Sequence, residues 1–151
     1  MKITNLYKNC AGPSGVQLDI SFAGCEHHCK GCYVPELWDP TMFPDWSTEY
    51  IYNEISKLEK YVDGFVLLGG DPLYKPNIHD TILLESHLRD YNKPITLITG
   101  YTMDEINRDI GRKEAFMLAD KVITGRYQEN KRNIDDYIGS SNQQVYLNKR
   151  K

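Results

Sequence analysis

The chain has 151 residues, 40% hydrophobic and 26% charged, which suits one packed domain over residues 1–151 and excludes a cofactor domain joined to a separate substrate domain. A net charge of −3 argues against nucleic acid as the main partner, because phosphate binding leaves a clustered basic footprint. No apolar run approaches the ~20 residues of a membrane span, and the first residues lack a secretory signal, so the expectation is a cytoplasmic protein with reduced thiols and no membrane partner.

In chain order, residues 3–7 read as a short strand. Residues 16–22 alternate strictly, with Val16, Leu18, Ile20 and Phe22 apolar and Gln17, Asp19 and Ser21 polar, the period of a strand. Residues 25–46 hold three cysteines and Pro35, Pro40 and Pro44, a density of proline that excludes a regular helix. A loop this long in a compact domain is usually functional. Ser47 is placed to cap a helix over 48–61, with Ile51, Ile55, Leu58 and Val62 on one face. Residues 65–68 form a buried strand, and Asn77 is placed to cap a helix through 91. Residues 95–99 form the next strand. Thr102 and Glu105 have the spacing of a capping box for a short helix. Residues 122–124 and 144–147 read as the last strands. Strands alternating with helices predict an α/β fold with a largely parallel sheet.

Four strands run into glycine: Gly24, Gly69, Gly100 and Gly125. Ligands bind beyond the carboxyl ends of parallel strands, where glycine permits close backbone approach. Glycines that merely make the turns are the plainer reading of any one of them; four on one sheet edge favour a ligand-lined rim.

The chemistry centres on Cys25-Glu26-His27-His28-Cys29-Lys30-Gly31-Cys32. Iron–sulfur clusters are normally held by four thiolates. Three in one loop leave one iron without a protein ligand, and an open position on a metal is where substrate binds. Zinc is the alternative, but zinc motifs usually pair two short knuckles far apart, and no second Cys-x2-Cys or His-x3-His occurs. His27 and His28 read as exposed loop residues rather than ligands.

Cys-x3-Cys-x2-Cys after a strand resembles the signature of the radical S-adenosylmethionine enzymes. Their fold is a full or partial (β/α) barrel. Gly31 stands where many members have an aromatic residue. In this the chain resembles the activating proteins of anaerobic ribonucleoside-triphosphate reductases, a group of glycyl-radical activases. Cys10-Ala11-Gly12-Pro13-Ser14-Gly15 resembles the segment that precedes their first barrel strand. Gly69-Gly70-Asp71-Pro72-Leu73 resembles their Gly-Gly-Glu-Pro element, with Asp71 for Glu; a turn is the plainer reading of Gly-Asp-Pro alone. Thr99-Gly100-Tyr101, Gly125-Arg126-Tyr127 and Gly139-Ser140-Ser141-Asn142-Gln143 resemble further segments of the group.

The resemblance implies a partial (β/α) barrel and an oxidoreductase. It implies a [4Fe-4S] cluster on Cys25, Cys29 and Cys32, and S-adenosyl-L-methionine bound with the help of Gly69, Gly70, Asp71, Thr99 and Arg126. It also implies two partners: the large glycyl-radical reductase, and a low-potential donor such as flavodoxin. Another small radical enzyme and a zinc-stabilised binding module remain as alternatives. Cys10 reads as a structural or incidental thiol, in the manner of a small buried hydrophobe. Tyr33, Trp38, Tyr101, Tyr127, Asn142 and Gln143 are candidates to line the site, with roles left open.

Overall fold

The structure is a computed structural model that describes residues 1–10 and 14–150, the side chain at 134 apart. Ala11, Gly12 and Pro13 of the glycine–proline segment lie outside the described residues. Strands β1 (Ile3–Asn9), β2 (Gln17–Phe22), β3 (Gly64–Gly69), β4 (Ile95–Ile98), β5 (Lys121–Thr124) and β8 (Gln144–Leu147) form one six-stranded sheet in the order β1-β2-β3-β4-β5-β8. The pairs β2–β3, β3–β4 and β4–β5 are parallel. The outer pairs, β1–β2 and β5–β8, are antiparallel. The largely parallel sheet is therefore present with antiparallel edges, and β1 and β8 do not pair to close it. Strands β6 (Arg132–Asp135) and β7 (Ile138–Ser140) form a separate hairpin. That hairpin is absent from the sequence reading.

The helices are α1 (Thr48–Leu58), α2 (Ile78–Leu88), α3 (Met103–Asn107) and α4 (Ile110–Leu118). Ser47 caps α1 as expected, accepting from the Tyr50 amide at 3.1 Å. Thr102 and Glu105 complete the capping box of α3. The last turns of the two predicted longer helices tighten into 3-10 geometry at Glu59–Tyr61 and Arg89–Tyr91. Asn77 precedes α2 but does not cap it. Its amide donates to the carbonyls of Ala23 at 2.9 Å and Asp71 at 3.1 Å, so it ties two strand ends together instead. Helix α4 was not foreseen; Asp109 caps it by accepting from Gly111 and Arg112. None of the helices among the described residues is long and apolar enough to cross a membrane.

The pleat divides the sheet into two faces. Leu18, Ile20 and Phe22 of β2, Phe65 and Leu67 of β3, Ile95 and Leu97 of β4 and Val122 of β5 join one core. From the helices that core takes Ile51, Ile55, Leu84, Leu88, Ile106, Ala115 and Phe116. Each fully buried Leu, Ile or Phe there contributes about 1.5–3 kcal/mol. The alternate residues face the other way. On β2 these are Gln17, Asp19 and Ser21, yet Gln17 and Asp19 are also buried. The polar half of the β2 alternation thus faces a covered interior rather than solvent.

Glu85 of α2 is 0% exposed, and both carboxylate oxygens lack a hydrogen-bond partner among the described residues. Burial drives its pKa well above the ordinary glutamate value; Arg89 opposes that and Asp120 adds to it. The folded chain then holds a proton that the unfolded chain releases, so stability falls as pH rises above the ordinary glutamate range. The slope reaches about 1.4 kcal/mol per pH unit. In Glu85→Gln this component is expected to vanish, so the variant gains on the wild type as pH rises. Urea unfolding at several pH values measures it, and parallel pH profiles would refute the assignment.

Candidate iron–sulfur site

Parallel register aligns the carboxyl ends of β2 to β5, pairing Phe22 with Gly69, Leu67 with Leu97 and Ile98 with Ile123. Beyond these ends lies a cleft of about 290 Å³. Ser21, Leu68 and Ile98 form its floor, and Cys25, Cys29 and Cys32 stand on one wall. Gly69, Gly70, Asp71, Thr99, Gly100 and Gly125 line its rim, and Tyr137, Gly139 and Gln143 complete the lining.

The rim glycines mostly accommodate protein. Gly69 has φ +110°, and a Cβ there would stand 2.6 Å from the backbone of Phe22. At Gly70 it would meet the Gly24 carbonyl at 2.6 Å, and at Gly100 the His27 ring at 2.5 Å. Only Gly125, φ +105°, has no atom nearer than 3.8 Å. Of the four strand-end glycines, Gly69, Gly100 and Gly125 line the cleft and Gly24 does not, and close packing of the strand ends explains most of the glycine.

The cysteine loop is held by its backbone. The Gly24 amide donates to Leu37 at 2.7 Å, Cys25 to Trp38 at 3.1 Å and Cys32 to Cys29 at 3.1 Å. Backbone amides also reach the sulfurs: His27 and His28 to Cys25, Tyr127 to Cys29, and Val34 to Cys32 at 3.5 Å. Burial pushes the Cys25 thiol up to about 11, against the pull of those two amides, and Asp71 adds to the rise. Burial also raises Cys29, opposed by the Tyr127 amide and the Arg126 charge. Metal binding needs the thiolates and releases these protons. Three partly exposed thiols free of disulfides converge on one cleft with amides aimed at their sulfurs, a donor set of the kind that can hold a metal cluster. Hydrogen bonds to sulfur are among the features that tune such centres.

Asp71 is the hub behind this wall. It is 1% exposed. Oδ1 accepts from the Leu73 amide at 2.8 Å and the Thr99 hydroxyl at 2.9 Å. Oδ2 accepts from the Gly100 amide at 2.8 Å and lies 2.8 Å from His27 Nε2. The His27 side chain is only 3% exposed, which corrects the expectation of an exposed loop residue. Its ring meets Tyr101 edge-on at 4.4 Å, and Nδ1 is buried without a partner among the described residues. A ligand atom from each of Cys25, His27 and Asp71 lies within 4.8 Å of the others. His28, as expected, is exposed; it stacks on Trp38.

The remaining candidates divide. The Thr99 hydroxyl is committed to Asp71 and to the Tyr101 amide. Arg126 forms a two-point ion pair with Glu105, donates to the Gly100 carbonyl at 3.0 Å, and is not among the residues lining the cleft. That pair holds the Glu105 carboxyl down at about 2. Tyr101 lies behind His27 with Arg112 stacked on its ring at 3.8 Å, so it does not line the cleft. Tyr33 and Tyr127 do, with ring centroids 4.9 Å apart, and so does Trp38.

Gln143 bonds the Gly139 amide and the Gly125 carbonyl, and Asn142 the Arg126 carbonyl. Both staple the loop that follows β5. Cys10 is exposed, not a buried hydrophobe. It follows Asn9, which pairs with Gln17 at the start of β2. A strand length, about 17 Å, therefore separates it from the end of β2 that leads to Cys25. Sequence reading missed His27 and Tyr137. A histidine between two motif cysteines was the available signal for the first; nothing marked the second.

A family model described as a 4Fe-4S single cluster domain matches residues 11–146. The anaerobic ribonucleoside-triphosphate reductase-activating protein of Enterobacteria phage T4 is 33% identical over 140 residues, covering 91% of this chain and 86% of its own. Its counterpart from Escherichia coli (strain K12) is 29% identical over 141 residues, covering 89% and 90%. That of Haemophilus influenzae (strain ATCC 51907 / DSM 11121 / KW20 / Rd) is 28% identical over 138 residues, covering 87% and 88%.

Proposed function

The chain belongs to the family of anaerobic ribonucleoside-triphosphate reductase-activating proteins, and from that premise we propose that it installs the glycyl radical of such a reductase. The observation that carries the reading is the convergence of Cys25, Cys29 and Cys32 on a cleft at the carboxyl ends of parallel strands. Cys25, Cys29 and Cys32 hold a [4Fe-4S] cluster. When bound, that cluster supplies one electron to S-adenosyl-L-methionine, whose cleavage gives methionine and a 5′-deoxyadenosyl radical able to take a glycine Cα hydrogen. The open sheet with helices on one face serves as the partial (β/α) barrel of this chemistry.

The chain's own residues bind, orient and shelter. Gly69 and Gly70 present backbone at the cleft edge beside the cysteines, where an ammonium group is suited by carbonyl oxygens. Asp71 and Thr99, whose polar atoms are already bonded, position rather than touch: they fix His27 and the Gly100 turn. Arg126 acts one step removed, through Glu105 and the Gly100 carbonyl, on the turn that carries the Tyr127 amide to Cys29. Tyr33, Tyr127 and Trp38 limit solvent at the cysteine wall. The donor is a low-potential carrier such as flavodoxin, and the reductase covers the cleft's open side.

The test is anaerobic reconstitution with iron and sulfide, reduction, addition of S-adenosyl-L-methionine and assay of 5′-deoxyadenosine, with and without the reductase. Product from the wild type and none from Cys29→Ser is expected. A full cluster that yields no product even with the reductase would sink the reading.

A further inference from the structure

Among the described residues, strands β6 and β7 pair only with each other. Asp135 pairs with Ile138, so Asp136 and Tyr137 are the central residues of a two-residue turn. Both have positive φ, +45° and +72°. Such turns favour Asp-Gly, and tyrosine at the second position is strained. Strain of this kind persists only where the surroundings over-determine it, and it clusters at clamps and switches.

Here the surroundings are polar side chains on the inner side of the sheet. The Tyr137 hydroxyl donates to Asp19 Oδ1 at 2.6 Å and accepts from Asn9 at 3.0 Å. The Asp136 carboxylate accepts from Ser14 Oγ at 3.0 and 3.1 Å and from Lys121 Nζ at 3.0 Å. Bonds of this type are readily exchanged for water, unlike a packed apolar contact. The turn end of the hairpin is therefore held by latches rather than by a core, while its other end is anchored: Gln143 Oε1 accepts from the Gly139 and Ser140 amides, and Ser140 Oγ accepts from the Gln128 amide.

Tyr137 and Gly139 line the cleft. At about 290 Å³ the cleft is no larger than the smallest ordinary small-molecule sites, about 300 Å³. The proposed function asks it to admit a cofactor and a glycine-bearing segment of another protein together. We infer that residues 132–140 form a latched strap, closed in the protein alone, that leaves the inner face of the sheet when the partner's glycine segment enters. The Tyr137–Asp19 and Asp136–Lys121 contacts are its two latches. The identity of the entering segment rests on the proposed function; the strap and its latches do not.

Hydrogen exchange by mass spectrometry tests this on the anaerobically reconstituted chain, alone and with the reductase. Amides of 132–140 are expected to exchange through an opening that leaves β2 to β5 protected. Tyr137→Phe removes a bond to a carboxylate, and should speed hairpin exchange roughly tenfold or more. Lys121→Met, which leaves the ring in place, should act in the same direction. The reductase should increase exchange in the hairpin further. A hairpin as protected as β3 and unmoved by both variants would overturn the strap, as would greater protection on adding the reductase. Iron and sulfide counts on the same samples keep the two ideas separate: a chain without a cluster counts against the proposed function, while its exchange pattern still decides the latches.

Discussion

Replacing Cys29 with serine is expected to abolish iron–sulfur loading, while Cys10→Ser leaves it intact. Three thiolates are the minimum that still fixes a cluster with one open iron, since such clusters are normally held by four. Serine removes one thiolate, and with it the sulfur reached by the Tyr127 amide and the Arg126 charge. Cys10 has no part in this. It is exposed at the far end of β2 from the cysteine loop, and a fourth protein ligand would close the open iron. Iron and sulfide per chain after reconstitution and desalting, with the visible absorption, measure both variants. A colourless Cys10→Ser protein or a fully loaded Cys29→Ser protein would contradict the ligand assignment.

The second large effect is expected at Asp71. Asp71→Ala leaves the Leu73 and Gly100 amides, the Thr99 hydroxyl and His27 without their acceptor, in a site that is 1% exposed. A loss of about 3–5 kcal/mol follows from breaking a buried charged network. Asp71→Asn is the finer probe, because it keeps the shape. The amide oxygen still serves Leu73 and Thr99, and His27 can change tautomer to accept from the new amide. The Gly100 amide alone then faces a donor, which costs about 1–3 kcal/mol. Urea unfolding of the metal-free variants should give this order, Ala worse than Asn. Both variants should also shed iron faster on gel filtration, since the link between the cysteine loop and the ends of β3 and β4 is loosened. Equal stability of all three proteins would remove Asp71 from its place as hub.

The elements that could be read in advance are those whose signal is local. Ser47 and the Thr102–Glu105 pair mark helix starts because capping is settled within four residues. The alternation of β2 survives because one of its faces packs on helices. What covers the other face is a long-range fact: Asp19 is buried under Tyr137, more than a hundred residues later, and periodicity carries no information about it. The β6–β7 hairpin was missed because its turn, Asp136-Tyr137, lacks the glycine that announces such turns. Helix α4 was missed because Ile110 opens it while almost fully exposed and its apolar stripe is short.

The site divides along the same line. The cysteines are adjacent in sequence, so their spacing was enough to single them out. Asp71 read equally as a turn, and only its four side-chain partners, drawn from three separate segments, make it a hub. His27 was taken for an exposed residue because its burial depends on Asp71, Gly100 and Tyr101, none of them near it in the chain.

The ligands and the shelter of this site also differ in when they come into being. The proposed ligands, from Cys25 to Cys32, span eight residues, so they are all synthesised before any strand beyond β2. The walls come from strand ends as distant as Gly125 and from Gln143, contacts of high sequence separation that form slowly. At ordinary rates of synthesis the cysteine loop leaves the ribosome roughly 5–20 s ahead of Gln143. If the loop holds iron as proposed, metal taken up on the nascent chain would spend that interval without its walls, and the order of events during biogenesis would then set when the centre is most exposed.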